Sequence, residues 1–115
     1  MSSCVRRNLD FLKIISEAKP KARYKIIKAC STDNLKALTE IAYNTVHGIV
    51  KLKADQKHRL KRHRIKIKNL AKLKKSFKTK KAELLKGAGF LPHLLNPIIQ
   101  ILTGVGASLI ANLIV

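Results

Sequence analysis

Thirteen Lys and Arg side chains in the middle of the chain are spaced closely enough to bind a run of phosphate groups. They are Lys57, Arg59, Lys61, Arg62, Arg64, Lys66, Lys68, Lys72, Lys74, Lys75, Lys78, Lys80 and Lys81. Each cation that neutralises a phosphate of a duplex releases condensed counterion, which favours binding whatever the base sequence. Base reading needs amide or Arg groups fixed on a rigid helix, and Gln56 and Asn69 stand isolated among lysines. We therefore expect these side chains to bind double-stranded DNA without sequence specificity.

The histidines and acidic residues do not form the patterns of a metal centre or an enzyme. His58 and His63 are five positions apart, so one helix face does not present both, and His47 and His93 have no neighbouring ligand in the sequence. The six acidic residues are scattered, and no nucleophile–base set or phosphate-binding glycine loop occurs. We predict no catalytic residue, no metal site and no cofactor.

Charge is distributed unevenly along the 115 residues. The formal net charge is +19, of which residues 51–86 contribute +14, residues 1–50 contribute +5 and residues 87–115 contribute nothing. A segment of such charge density attracts a polyanion, either nucleic acid or an anionic membrane surface. The boundaries predict a small helical domain at 1–50, a basic DNA-binding region at 51–86 and a hydrophobic tail at 87–115.

Apolar periodicity and capping residues predict that helices position the cations. Three short amphipathic helices are expected in the first region, with Pro20 beginning the second, Ser31 capping the third and Gly48 ending it. The basic region is expected to form one long helix over about 54–75, followed by a short helix after Ser76. We thus predict an all-α fold with a small N-terminal three-helix unit, a long basic helix and an apolar C-terminal helical tail.

The tail contains a stretch of nineteen uncharged residues, 97–115, which is close to the length needed to cross a bilayer. Polar residues and two glycines interrupt it, so it is a borderline transmembrane segment. Two alternatives stay open: the stretch interacts with a membrane, or it packs against protein, in the N-terminal helices or in an oligomer. The side chains expected to contact lipid are Ile98, Ile99, Ile101, Leu102, Leu109, Ile110, Leu113 and Ile114.

The order of these parts resembles that of a known family of virion proteins. The basic block is followed by Gly87 and Gly89, by FLP at 90–92, by NPII at 96–99 and by a Gly/Ala-rich apolar end. Over about residues 51–115 this is similar to the precursor of adenovirus core protein X (mu), a small DNA-condensing protein. Nearly the whole chain resembles the X-like late protein of adintoviruses and Polinton/Maverick elements, whose helices carry a KPKxR turn, here KPKAR at 19–23. Unlike mu, this chain is Lys-rich rather than Arg-rich and has an N-terminal helical region.

The resemblance implies a minor virion or core protein, found in the virion and the host nucleus, with double-stranded DNA and capsid proteins as partners. It also implies processing by a viral maturation protease that cuts after Met/Leu/Ile-x-Gly-x, and Leu85-Lys86-Gly87-Ala88 before Gly89 fits that signature. The implied cut lies between Ala88 and Gly89, where Gly87 ends a helix and Pro92 is expected to oppose a new one.

Two other functions remain open at this point. The chain could be a membrane-active virion protein with no genome role, or an interaction protein that docks through its N-terminal helices. The sequence also leaves open whether the tail is cleaved or kept as an anchor, and whether the protein forms homo-oligomers.

Overall fold

A computed structural model describes residues 2–103, and that range is helical throughout apart from short connections, with no strand. Its eight helices are α1 Ser3–Arg7, α2 Leu9–Glu17, α3 Pro20–Ala29, α4 Thr32–Val46, α5 Ala54–Lys61, α6 Arg64–Ala71, α7 Phe77–Lys86 and α8 Leu91–Thr103. The prediction of an all-α fold is confirmed.

The helix boundaries follow local capping chemistry. Pro20 occupies the first position of α3, where its missing N–H costs nothing. Ser31 caps α4 reciprocally: its Oγ accepts from the Asn34 N–H at 3.0 Å, and its own N–H donates to Asn34 Oδ1 at 2.9 Å. Gly48, with φ of 70°, reverses the chain just after α4 ends. Ser76 caps α7 by accepting from the Thr79 N–H at 3.1 Å.

The N-terminal region has four helices instead of the expected three. The extra helix, α1, ends at Arg7, and Asn8, which is 6% exposed, caps it and lies between α1 and α2. Asn8 Nδ2 donates to the Cys4 carbonyl at 2.7 Å and to Asp33 Oδ2 at 2.8 Å, so its side chain ties the turn to the start of α4. A polar side chain that bonds local backbone in this way favours a turn over helix continuation.

The long basic helix expected over 54–75 is divided, and this prediction needs correction. α5 ends at Lys61, Arg62 and His63 form the junction, and α6 ends at Ala71. The two helices have different partners, since α5 packs on α8 whereas α6 packs mainly on α4. A straight helix could not follow both surfaces, so tertiary packing breaks a segment that helical periodicity alone would continue.

One hydrophobic cluster joins residues of all three charge regions. The fully buried members include Leu12 and Ile15 of α2, Leu38 and Ile41 of α4, and Leu91, Leu94, Leu95 and Ile98 of α8. Leu60, Ile67 and Leu70 add the basic region to the same cluster. The cations of α5 and α6 are therefore positioned by buried neighbours on their own helices.

The apolar tail begins as part of this core. α8 starts at Leu91, so the expectation that Pro92 opposes a new helix was wrong: Pro92 lies in the first turn, where proline is tolerated. Pro97 lies inside the helix. In the range that the structure describes, no helix has both the length and the apolarity to span a membrane.

Candidate nucleic-acid interface

Ten of the thirteen cations expected to bind DNA are exposed on α5, α6, the adjoining turns and the first turn of α7. They are Lys57, Arg59 and Lys61 on α5, Arg62 at the junction, Arg64, Lys66 and Lys68 on α6, Lys72 and Lys74 after α6, and Lys78 on α7. The apolar side of these helices faces the core, where three side chains are only 3–6% exposed: Leu60, Ile67 and Leu70. The remaining helix faces carry the cations and are exposed to solvent. We call these ten side chains the basic face.

Acidic residues compensate little of the charge on the basic face. In the described part of the basic region, Asp55 contacts Arg59 at 3.4 Å, with both side chains more than half exposed. A pair of this kind is worth little in water, so it does not withdraw Arg59 from a phosphate. Glu83, the other acid of residues 51–86, is paired with Lys75 at 2.7 Å.

Lys75, Lys80 and Lys81 are held by contacts within the fold. Besides the Lys75–Glu83 pair, Lys81 Nζ donates to the Cys30 carbonyl at 3.3 Å and lies 5.4 Å from the centroid of the Phe77 ring. Lys80 is 5% exposed, and its Nζ donates to Thr39 Oγ1 at 2.9 Å. The structure therefore removes Lys80 from the surface that the sequence predicted for it.

A signal for the burial of Lys80 was present in the sequence. Phe77 and Leu84 are seven positions apart on α7, and Lys80 falls between them at the spacing of one helix face. Leu84 is buried and Phe77 is partly buried against the core, so Lys80 shares their inward side.

The predicted set of DNA-binding cations also omitted three exposed members of the same run of charge. They are Lys51, Lys53 and Lys86.

Two exposed apolar side chains lie among the cations and were not anticipated as surface groups. Ile65 is 70% exposed on α6, and Leu73 is 68% exposed in the turn that follows. In one continuous helix over 54–75, periodicity would place Leu73 on the buried side with Leu70. Because α6 ends at Ala71, that periodicity no longer applies at Leu73.

His63 and His93 are neighbours in the structure, although the sequence presented His93 as isolated. Their ring centroids are 5.9 Å apart, and the Phe90 ring lies 6.3 Å from that of His63. Burial lowers the pKa of His63, and the charges of His93, Arg62 and Lys66 lower it further. In residues 2–103, no group of three or more His, Cys, Asp or Glu side chains is placed to hold a metal ion.

The protease signature lies in a turn between two packed helices. The Gly87 N–H donates to the carbonyls of Glu83 and Leu84 at 3.3 and 3.2 Å and ends α7. The Ala88 carbonyl accepts from the Leu91 N–H at 3.1 Å, and both Ala88 and Leu85 pack against the core. Gly89 is exposed, and nothing lies within 4 Å of where its Cβ would be. The Ala88–Gly89 peptide bond is thus exposed on the Gly89 side and held by backbone contacts on the Ala88 side.

The side chains expected to contact lipid are distributed between core and surface. Ile98 is fully buried, Ile99 and Leu102 are partly buried against the core, and Ile101 is 58% exposed. Leu109, Ile110, Leu113 and Ile114 lie outside the residues that the structure describes.

Comparison of the chain with protein-family models, with curated proteins and with solved structures finds no match.

Proposed function

We propose that the protein is a minor virion or core protein that binds and condenses double-stranded DNA without sequence specificity. The observation that carries the proposal is the basic face, in which ten exposed cations occur in a stretch, residues 51–81, whose single acid is Asp55. Such a face neutralises phosphates of a duplex and gains from counterion release.

The amide side chains of the basic region support binding without base reading. Gln56 accepts from the Lys53 N–H at 2.9 Å through its Oε1, so this amide oxygen caps α5. Asn69 is half-buried on α6. The Gln56 amide oxygen is thus engaged and the Asn69 side chain is partly buried, whereas bidentate reading of adenine needs an amide on an exposed helix face. The surface is also richer in Lys than in Arg, and Lys binds phosphate as a point charge without fixed geometry.

Condensation requires that one molecule neutralise or join more than one stretch of duplex. Exposed cations outside the basic face supply a second group: Lys21, Lys25 and Lys28 of α3.

The order of parts that resembles adenovirus core protein X supports the same role in a virion. On this proposal the protein is located in the virion and the host nucleus, its partners include capsid proteins, and its apolar region contributes to capsid or membrane interaction.

The salt dependence of DNA binding by the full chain tests the proposal. If about eight to ten phosphates are neutralised, affinity for a random duplex falls roughly 10³- to 10⁵-fold between about 50 and 200 mM salt. Duplexes of unrelated sequence should bind equally well. A flat response to salt, or a strong preference for one sequence, would contradict non-specific binding.

A triple variant locates the contact surface. Replacing Arg62, Arg64 and Lys66 with Gln should reduce the slope of log affinity against log salt by about 2.7, or 0.9 for each lost phosphate contact. The same substitution of Lys21, Lys25 and Lys28 on α3 removes as many charges from the second group, so it should reduce the joining of duplexes, followed by light scattering, more than the salt slope for a single duplex. Equal reductions from both triple variants would mean that net charge alone, and not the basic face, determines binding.

A membrane-active virion protein without a genome role is the second candidate. The exposure of Ile65 and Leu73 among cations favours it, because apolar groups surrounded by Lys and Arg also suit an anionic bilayer surface. Sedimentation with phosphatidylserine vesicles, with phosphatidylcholine vesicles as the control, distinguishes the two candidates. The membrane-active candidate would be favoured if the protein binds vesicles, duplex DNA does not displace it from them, and its DNA binding is weak. Fractionation of purified particles then shows whether the protein travels with the genome or with the shell.

A further inference from the structure

A pocket of about 380 Å³ opens between α4 and the segment that runs from Leu73 into α7. Its apolar wall includes Leu35, Tyr43, Leu73 and Phe77. Thr39 of α4 and Lys80 of α7 supply polar groups to the same pocket. The basic-face cations do not line it, so it is a separate feature of the molecule.

Lys80 is a buried cation whose hydrogen-bonding capacity is mostly unused. An ammonium group has three N–H donors, and within residues 2–103 its single acceptor is Thr39 Oγ1 at 2.9 Å. No carboxylate of the described residues forms an ion pair with it, because Glu83 pairs with Lys75 instead. Burial of a charge without a counter-ion is unfavourable. Burial accordingly lowers the pKa of Lys80, and the charge of Lys75 lowers it further, while the charge of Glu83 partly opposes them.

Lys80 lines this pocket together with Thr39, whose hydroxyl is the acceptor of its Nζ. Lys80 also contributes to a second hollow of about 280 Å³, beside Leu84 and Phe90. Thr39 lines the first pocket and not the second, and it is Thr39 that Lys80 Nζ contacts. An anion that enters the first pocket would therefore meet the buried charge directly.

We propose that this pocket binds a carboxylate carried on a short apolar group, with the carboxylate against Lys80 Nζ and the apolar part against Leu35, Tyr43 and Phe77. Lys36, Lys75 and Glu40 also line the pocket, and its mostly apolar wall favours a carboxylate that carries an apolar group over a free phosphate ion. A phosphate of a stiff duplex cannot reach a side chain that is 5% exposed, so the site is distinct from DNA binding. The carboxylate can come from a free organic acid or from an acidic side chain with apolar neighbours in a protein partner.

Calorimetry on the full chain with two probes tests the site and separates the two sources. The probes are hexanoate and the capped tripeptide acetyl-Leu-Glu-Leu-amide, and hexanol is the uncharged control. We expect at least one acid to bind and hexanol not to bind. Binding of the peptide alone identifies a protein partner as the source, binding of hexanoate alone identifies a free acid, and binding of both identifies a shared carboxylate site.

Lys80→Met and Lys78→Met form a matched pair on α7, one at the pocket and one exposed. Lys80→Met should weaken acid binding about tenfold or more, as expected for loss of a charged hydrogen bond. Lys78→Met should leave it unchanged. Replacement of a buried ion by an apolar side chain of similar volume is usually tolerated, and helical circular dichroism checks that the fold is kept.

NMR on the unsubstituted chain gives a second measurement that does not depend on either variant. Bound ligand should show nuclear Overhauser contacts from its methylene protons to the Phe77 ring and the Thr39 methyl group. Absence of these contacts, failure of both acids to bind, or equal binding by Lys80→Met would overturn the proposal.

Discussion

His63 and His93 stack with their rings inclined by 11° and their centroids 5.9 Å apart, which joins the α5–α6 junction to the first turn of α8. Arg62 and Lys66 add positive charge on the same side. Protonation of His63 is therefore unfavourable, because its ring is half-buried and the charges of His93, Arg62 and Lys66 repel the added proton. The contact connects the basic region to the apolar region.

Acid should loosen this junction. The folded state holds the pKa of His63 below its ordinary value of 6.5, so the unfolded chain binds the proton more readily. The stabilising contribution of neutral His63 is therefore complete above about pH 6.5 and is lost as pH falls through the lower, folded pKa. We expect the melting temperature to fall between about pH 7.5 and 5.5. His63→Phe should flatten that dependence, whereas His58→Phe, at an exposed position, should not; equal slopes in both variants would refute the role of His63.

Lys80 and Lys78 should differ in DNA binding, although they are two positions apart. Lys78 is exposed, so Lys78→Met should reduce the salt slope of DNA affinity by up to about 0.9. Lys80 is buried against Thr39, so Lys80→Met should leave the slope unchanged. Fluorescence anisotropy with a labelled duplex over a salt series measures both. A larger effect from Lys80 than from Lys78 would mean that the buried position is not kept in the complex.

Leu38 should be essential to stability. It is fully buried in α4, and Leu38→Ala should cost about 2–5 kcal/mol of unfolding free energy. That is a large part of the total stability of a domain of this size, so extensive loss of helical circular dichroism is expected. Ile14→Ala on α2 is the control, because Ile14 is 57% exposed and a surface change of this kind costs about 0.5 kcal/mol or less. A Leu38→Ala chain that melts like the Ile14→Ala chain would show that this core is not formed.

A cognate maturation protease should cut between Ala88 and Gly89. Gly87→Val should block the cut by adding bulk in the specificity cleft. In the folded chain the added Cβ would lie 2.7 Å from Lys66 Nζ, the mobile end of an exposed side chain, so the fold can adjust. Unchanged melting of Gly87→Val checks this point, and Ala82→Val on α7 is a control that should still be cut. Mass spectrometry of mature particles decides the matter, since a chain that remains joined across Ala88–Gly89 in infectious particles would exclude processing.

Local chemistry made the helix ends predictable from the sequence. Ser31, Gly48 and Ser76 act through their own backbone neighbours, so their effect does not depend on the rest of the fold. The break at His63 could not be predicted in this way. It depends on the packing of α5 and α6 against different helices, which periodicity within one segment does not contain.

The burial of Lys80 was missed, and the position of α8 was left open, for a different reason. The spacing of Phe77, Lys80 and Leu84 indicated an inward position, but the surrounding charge run outweighed it. The apolar residues of α8 indicated removal from water, and hydrophobicity alone does not distinguish burial in lipid from burial in protein. Only the contacts of α8 with α2 show that residues such as Leu94 and Leu95 belong to the core.

The burial of α8 changes what a cut at Ala88–Gly89 would produce. Leu91, Leu94, Leu95 and Ile98 would remain in the core, so the two products would stay associated as a nicked, noncovalent heterodimer. The stability of this heterodimer would depend on the concentration of the fragments, because dissociated fragments must reassociate. On the proposed role in a virion, the high local concentration inside a particle would hold the pair together. Dilution after particle opening would separate them, and the cationic fragment would lose part of its core at the moment the apolar one is released.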